Sequence, residues 1–150
     1  MKQTNLLKNE YIEMIDGLKL DIFSTFTLKT AILDDGGSIR YLDDENICKA
    51  ASFINERFYR RFSKEERGLP FLVFAEGKFQ KRPHLHILSS KPSRYTFFDY
   101  AREFYQVSRK SYWVNKEADI KPISENTKRN LIGYCLKEGA DALLLEASVF

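Results

Sequence analysis

The chain has 150 residues, 43% of them hydrophobic and 14% aromatic, which supplies enough apolar material for one core and argues against disorder. Its 24 Lys and Arg against 21 Asp and Glu leave a net charge of +3, a mildly basic balance that is compatible with a polyanionic partner without demanding one. No segment has the apolar length of a signal peptide or a bilayer span, which predicts a cytoplasmic protein with no membrane partner.

No repeat or low-complexity linker divides the chain, so residues 1–150 are expected to form a single domain. Leu18–Lys29 alternates and is rich in Phe, Thr and Ile, which predicts a strand that Asp34-Asp35-Gly36-Gly37 breaks. From about Asp44 to Phe62, Ile47, Ala51, Ile54, Phe58 and Phe62 recur at helical spacing, and Glu45, Lys49, Glu56 and Arg60 lie on the opposite face. Gly68 and Pro70 end that unit. Phe71–Glu76 and His84–Ser89 are strand-like runs around the turn-prone Gly77-Lys78-Phe79-Gln80. A second helix, capped by Ser93 or Thr96, is expected to reach about Ser108 with Phe97, Ala101, Phe104 and Tyr105 on its buried side. Tyr112–Ile120 forms a further strand, and Ser124 or Asn126 opens a last helix that Gly139 closes. Cys48 and Cys135 each fall among apolar residues in a helical pattern and read as small reduced hydrophobes, which points to a reducing compartment.

The order β-α-β-β-α-β plus a helix predicts an α+β fold, a ferredoxin-like or RRM-like antiparallel sheet with both crossover helices on one face. Right-handed crossovers place the third strand between the first and the second. The other sheet face stays open unless the C-terminal helix lies over it.

The only two histidines, His84 and His86, stand two residues apart on that third strand. Alternate side chains share a strand face, so both imidazoles point the same way. They belong on the helix-free face if Leu85 and Ile87 supply the core, since burying imidazoles under helices strands polar groups. With the turn centred near Gln80, Glu76 falls opposite His84, close enough for a carboxylate and an imidazole to share an ion. One carboxylate and two imidazoles suit Mn²⁺ or Mg²⁺ with open positions, whereas a closed zinc site usually wants four protein ligands. On the last helix Tyr134, Lys137 and Glu138 stand at i, i+3 and i+4 and share one face. A phenol is a weak nucleophile at neutral pH, with a reference pKa of about 10, and a neighbouring ammonium favours its ionised form.

In chain order, Phe23-Ser24-Thr25-Phe26-Thr27-Leu28, Pro83-His84-Leu85-His86-Ile87 and Tyr134-Cys135-Leu136-Lys137-Glu138-Gly139 resemble the three motifs of the HUH endonucleases of rolling-circle replication initiators. The resemblance spans about Ile22 to Gly139 and implies the fold already argued from periodicity. It makes Tyr134 the single catalytic nucleophile, His84 and His86 metal ligands, and an acidic residue the third ligand, with Glu76 preferred over Glu138. Lys137 would assist at the scissile phosphate. The implied activity is divalent-metal-dependent nicking and rejoining of single-stranded DNA at a phage or plasmid origin, including hairpin DNA, through a 5′-phosphotyrosyl intermediate.

Thr25, Thr27 and Lys29 share a strand face and are candidate DNA contacts, as are Lys81, Arg82, Lys128 and Arg129 at backbone phosphates. No Gly-rich phosphate loop of a helicase is present, so a host helicase and polymerase would be partners, and two subunits of a homodimer would supply the two tyrosines of a full replication round. A single-domain transposase or a mobilisation relaxase uses the same chemistry. Two readings need no catalysis: a single-stranded nucleic-acid-binding module with Phe23 and Phe74 stacking on bases, and a metal-stabilised structural domain.

Overall fold

The computed structural model of the chain describes residues 2–63, 66, 68–77 and 83–150, with side chains from residue 7 onward. In chain order the elements are α1 (Lys2–Asp16), β1 (Ile22–Leu28), β2 (Ala31–Leu33), β3 (Ile39–Tyr41), α2 (Asp44–Phe62), β4 (Phe71–Glu76), β5 (His84–Ser89), α3 (Phe97–Ser108), β6 (Val114–Pro122) and α4 (Lys128–Cys135), followed by two short 3₁₀ turns at Ala140–Ala142 and Leu145–Ala147. The main sheet runs β4-β5-β1-β6 with every neighbouring pair antiparallel. The histidine strand thus lies between the two strands that precede it, as right-handed crossovers require. The fold is α+β and ferredoxin-like.

Strand alternation divides the molecule into two layers. Along β1, Ile22, Ser24, Phe26 and Leu28 are buried while Phe23, Thr25 and Thr27 are only half so. The first set meets α2 and α3 in a core that includes Phe58, Phe62, Tyr100, Phe104, Leu85 and Ile87. Asp43 caps α2 by accepting from the Asn46 N–H at 2.8 Å, and Thr96, rather than Ser93, caps α3. Because Leu85 and Ile87 belong to this layer, both histidines project from the opposite face.

That opposite face is not left open. The helix α1, for which composition and spacing offered no assignment, joins α4 over Leu72, Phe74 and Leu88, with Ile15, Ile132, Cys135, Leu136 and Leu143 in the same cluster. Lys128 locks the two helices together: it is buried, and its Nζ donates to the Asp16 carbonyl at 3.0 Å and the Leu18 carbonyl at 2.5 Å. These are carbonyls that the end of α1 would otherwise leave unpaired. Arg129 pairs with Glu13 and Asp16. Both residues therefore engage α1, Lys128 from a buried position and Arg129 from a half-exposed one.

Several boundaries differ from expectation: β1 begins at Ile22 rather than Leu18, and β6 runs Val114–Pro122 rather than Tyr112–Ile120. The last helix starts at Lys128, after Thr127, instead of at Ser124 or Asn126, and its α-helical bonding stops at Cys135. Beyond it, Lys137 N–H bonds the Tyr134 carbonyl and Gly139 N–H the Leu136 carbonyl, three residues back, before Gly139 turns at φ 113°. The Asp34–Gly37 break is the turn of a separate hairpin, β2–β3, in which Asp34 Oδ1 accepts from the Gly36 and Ser38 N–H groups. The tail closes the sheet edge: Phe71 and Val149 exchange both backbone hydrogen bonds, and Leu144 N–H bonds the Val73 carbonyl. Leu143 and Leu144 are buried in the process, so the Ala142–Leu145 run covers an edge strand that would otherwise stay unpaired. Among the described residues no helix is long and apolar enough to cross a membrane.

Candidate active site

The sheet register brings the sequence-distant residues together. Glu76 pairs with His84 across β4–β5, His86 with Thr25 across β5–β1, and Thr25 with Asp119 across β1–β6. Phe23, Thr25, Glu76, His84, His86, Asp119 and Tyr134 line one cleft of about 370 Å³. The two imidazoles stand parallel, with ring centroids 6.3 Å apart.

His86 is the centre of the arrangement and is only 4% exposed. Its Nε2 meets Glu76 Oε2, its Nδ1 lies 3.0 Å from Thr25 Oγ1, and Phe23 stacks on its ring at 5.4 Å. Burial holds its pKa below the ordinary histidine value, against the opposing pull of Glu76. For Glu76, burial pushes the carboxyl up, but hydrogen bonds and charge from Lys137 and His86 outweigh it and hold the group below the usual range. A carboxylate only accepts, so the Glu76 contact calls for a proton on Nε2, and the Thr25 hydroxyl is the partner of Nδ1.

Tyr134 sits in the last turn of α4, 45% exposed, with its ring edge-on to His86 at 5.5 Å. Lys137 Nζ lies 4.2 Å from the centre of the Tyr134 ring and 2.6 Å from Glu76 Oε1. The Glu76 carboxylate, with a smaller contribution from the Tyr134 hydroxyl, raises the Lys137 pKa. Glu138 goes elsewhere: both of its carboxylate oxygens accept from the Gly77 N–H at 3.2 Å. The helix that carries Tyr134 ends at Cys135, so Lys137 and Glu138 stand in the turn after it rather than on the helix itself; both still reach the end of β4, Lys137 at Glu76 and Glu138 at the adjoining Gly77.

The other candidates divide. Thr25 lines the cleft, but its hydroxyl faces His86. Thr27 and Lys29 line a second cleft of about 330 Å³ with Asn115 and Glu117. Lys81 and Arg82 lie outside the described residues, as does the turn from Lys78 to Gln80. Phe74 is fully buried and is not presented to bases, whereas Phe23 is half-buried, lines the cleft and stacks on His86. Asp119 was not singled out from the sequence. Its only local signal is the alternation of Glu117, Asp119 and Lys121 with the core-facing Ala118 and Ile120.

The donor set, two imidazoles and a carboxylate on one sheet face, is chemically suited to a divalent cation. Among the described residues no three His, Cys, Asp or Glu side chains already converge on one point. Glu76 and His86 instead face each other nitrogen to oxygen, and the second Glu76 oxygen is held by Lys137. Glu76 and His84 are direct cross-strand partners, and His86 follows two positions along β5 on the same face.

No protein-family model, curated protein or solved structure matches the chain, so the assignment of an activity rests on this geometry and on the motif resemblance.

Proposed function

We propose that the protein is a metal-dependent nickase and strand transferase for single-stranded DNA, acting at an origin of rolling-circle replication. One observation carries this reading. The phenol of Tyr134 lies against the imidazole of His86, and Lys137 bridges that same tyrosine to Glu76. Tyr134 on α4, Lys137 in the turn after it, and Glu76, His84 and His86 on β4 and β5 would then serve as nucleophile, cation and ligand set in neighbouring positions.

His84, His86 and Glu76 would hold Mn²⁺ or Mg²⁺, and the bound ion supplies Lewis acidity at a phosphate oxygen. The Tyr134 hydroxyl, half-exposed at the cleft mouth, attacks phosphorus while the bond to the 3′ oxygen breaks. The phenol proton passes to solvent, and the departing 3′ oxygen takes up a proton to leave a 3′-OH. The product is a 5′-phosphotyrosyl protein, and attack by a 3′-OH on that linkage regenerates Tyr134 and rejoined DNA. The Lys137 ammonium over the ring stabilises negative charge as it moves onto the phosphate. A full replication round needs a second transfer, for which two subunits would each supply one tyrosine, and a helicase and polymerase would come from the host.

The test is a denaturing gel with a random-sequence single-stranded oligonucleotide pool labelled at its 3′ end, incubated with Mn²⁺. Label should migrate with the protein after detergent treatment, and the Tyr134→Phe protein should carry none. A Tyr134→Phe protein that still acquires label, or a parent protein that acquires none, overturns the proposal.

A further inference from the structure

On the side of the sheet away from the histidines, α2 and α3 enclose a second polar cleft of about 510 Å³, lined by Arg57, Arg60, Arg61, Arg94 and Lys110 with Tyr95 and Val107. We infer that this cleft is a second nucleic-acid site, which holds the phosphodiester backbone of DNA independently of the tyrosine cleft.

The reasoning starts from helix geometry. Arg57, Arg60 and Arg61 stand at i, i+3 and i+4 on α2, so their guanidinium groups leave one face together. Arg94 enters from the loop before α3, and Lys110 from just beyond its end. Aromatic rings set two of the planes in advance: Arg57 lies over Phe53 at 4.8 Å and Arg94 over Tyr95 at 4.7 Å. Such stacking restricts the guanidinium planes, and Arg94 Nη2 also donates to the Tyr95 hydroxyl at 3.0 Å. Among the described residues, Glu56 pairs with Arg60 at 2.5 Å and Glu103 with Arg61 at 3.0 Å. Among the described residues Arg57 and Lys110 meet no carboxylate. The lining therefore offers donors and positive charge, with little apolar surface for a hydrophobic ligand.

A polyphosphate backbone fits this better than a single small anion. Five cationic side chains line the one open cleft, more positive charge than a single phosphate carries, and successive phosphates along a strand can meet them in turn. The α2–α3 layer separates this cleft from His86 and Tyr134, so DNA held here does not occupy the tyrosine cleft. The inference does not depend on the nickase reading, because it is read as binding and not as cleavage.

The test is fluorescence anisotropy with a 20-nucleotide single strand and a 20-base-pair duplex, each measured from 50 to 300 mM NaCl. The proteins compared are the parent, Lys110→Gln, and the triple variant Arg57→Gln/Arg60→Gln/Lys110→Gln, with folding of each checked by circular dichroism. The variants leave the Arg61–Glu103 pair intact, since that pair links α2 to α3. Each lost phosphate contact lowers the slope of log affinity against log salt by about 0.9 on duplex and about 0.7 on single strands. The triple variant should lose two to three units of slope, and Lys110→Gln about one. A loss confined to the duplex assigns the cleft to a double-stranded arm, and a loss confined to the single strand assigns it to an unpaired one. Unchanged slopes on both DNAs overturn the inference. So does competition by polyglutamate at equal charge concentration, which would assign the surface to an acidic protein.

Discussion

Thr25→Val tests the reading of the site at its least obvious point. Valine keeps the shape and the strand preference of threonine but removes the hydroxyl that lies 3.0 Å from His86 Nδ1. In the parent, that hydroxyl can donate to Nδ1 or accept from it, so it serves either tautomer of the imidazole, including the one that leaves the Nε2 lone pair available to a cation. Loss of the partner strands a ring nitrogen that is 4% exposed in its residue, at a cost of about 1–3 kcal/mol in metal-free stability. Removing the group that orients a ligating imidazole typically weakens metal binding by about 10- to 100-fold. Urea unfolding without metal gives the first number, and calorimetric titration with MnCl₂ gives the second. Oligonucleotide affinity without metal should stay within about twofold, because the hydroxyl faces the ring. If Thr25→Val binds Mn²⁺ as tightly as the parent and loses DNA affinity instead, Thr25 is a DNA contact and the positioning argument fails.

Three further outcomes follow from other contacts. Glu76→Gln should weaken Mn²⁺ binding strongly while Glu138→Gln changes it little, because the Glu138 carboxylate is bonded to the Gly77 N–H; the reverse order in the same titration would exchange their roles. Lys128→Met should cost about 1–3 kcal/mol in urea unfolding by leaving the Asp16 and Leu18 carbonyls unpaired, and limited proteolysis should then cut first around α1. A cost below about 0.5 kcal/mol would show that Lys128 is not what holds α1. Stability should also fall as pH rises above about 10. Burial pushes the Tyr59 hydroxyl, which donates to the Leu69 carbonyl, up to about 12, and pushes Tyr100 higher still. The folded chain therefore keeps protons that the unfolded chain releases, which is the sign for alkaline destabilisation. Tyr59→Phe should shallow that decline, and a parent protein whose unfolding midpoint is flat from pH 9.5 to 11.5 would contradict it.

Much of the architecture was legible in the amino-acid order because it depends on local periodicity. The alternation of β1, the spacing of Ile47, Ala51, Ile54, Phe58 and Phe62 on α2, and the Glu76–His84 register each follow from neighbours in sequence. Given those elements, chain handedness leaves one strand order, and that order is observed. The face on which His84 and His86 stand was equally accessible, since Leu85 and Ile87 are apolar and the period of a strand is two.

What only the folded molecule decided is which partner each polar group meets. Thr25 lies 61 positions from His86 and Lys128 lies 112 from Asp16, and no periodicity connects them. From sequence both were candidate DNA contacts; the fold turns one toward an imidazole and bonds the other to carbonyls at the end of α1. The early end of α4 also escaped the pattern, because the apolar residues of an α-helix and of the tighter turn after it look alike over so few positions. Past that end, Lys137 lies over the Tyr134 ring and Glu138 meets Gly77. Periodicity assigns a side chain to a face, but the choice among hydrogen-bond partners on that face is a contest between groups from distant segments, and it is settled only when those segments pack.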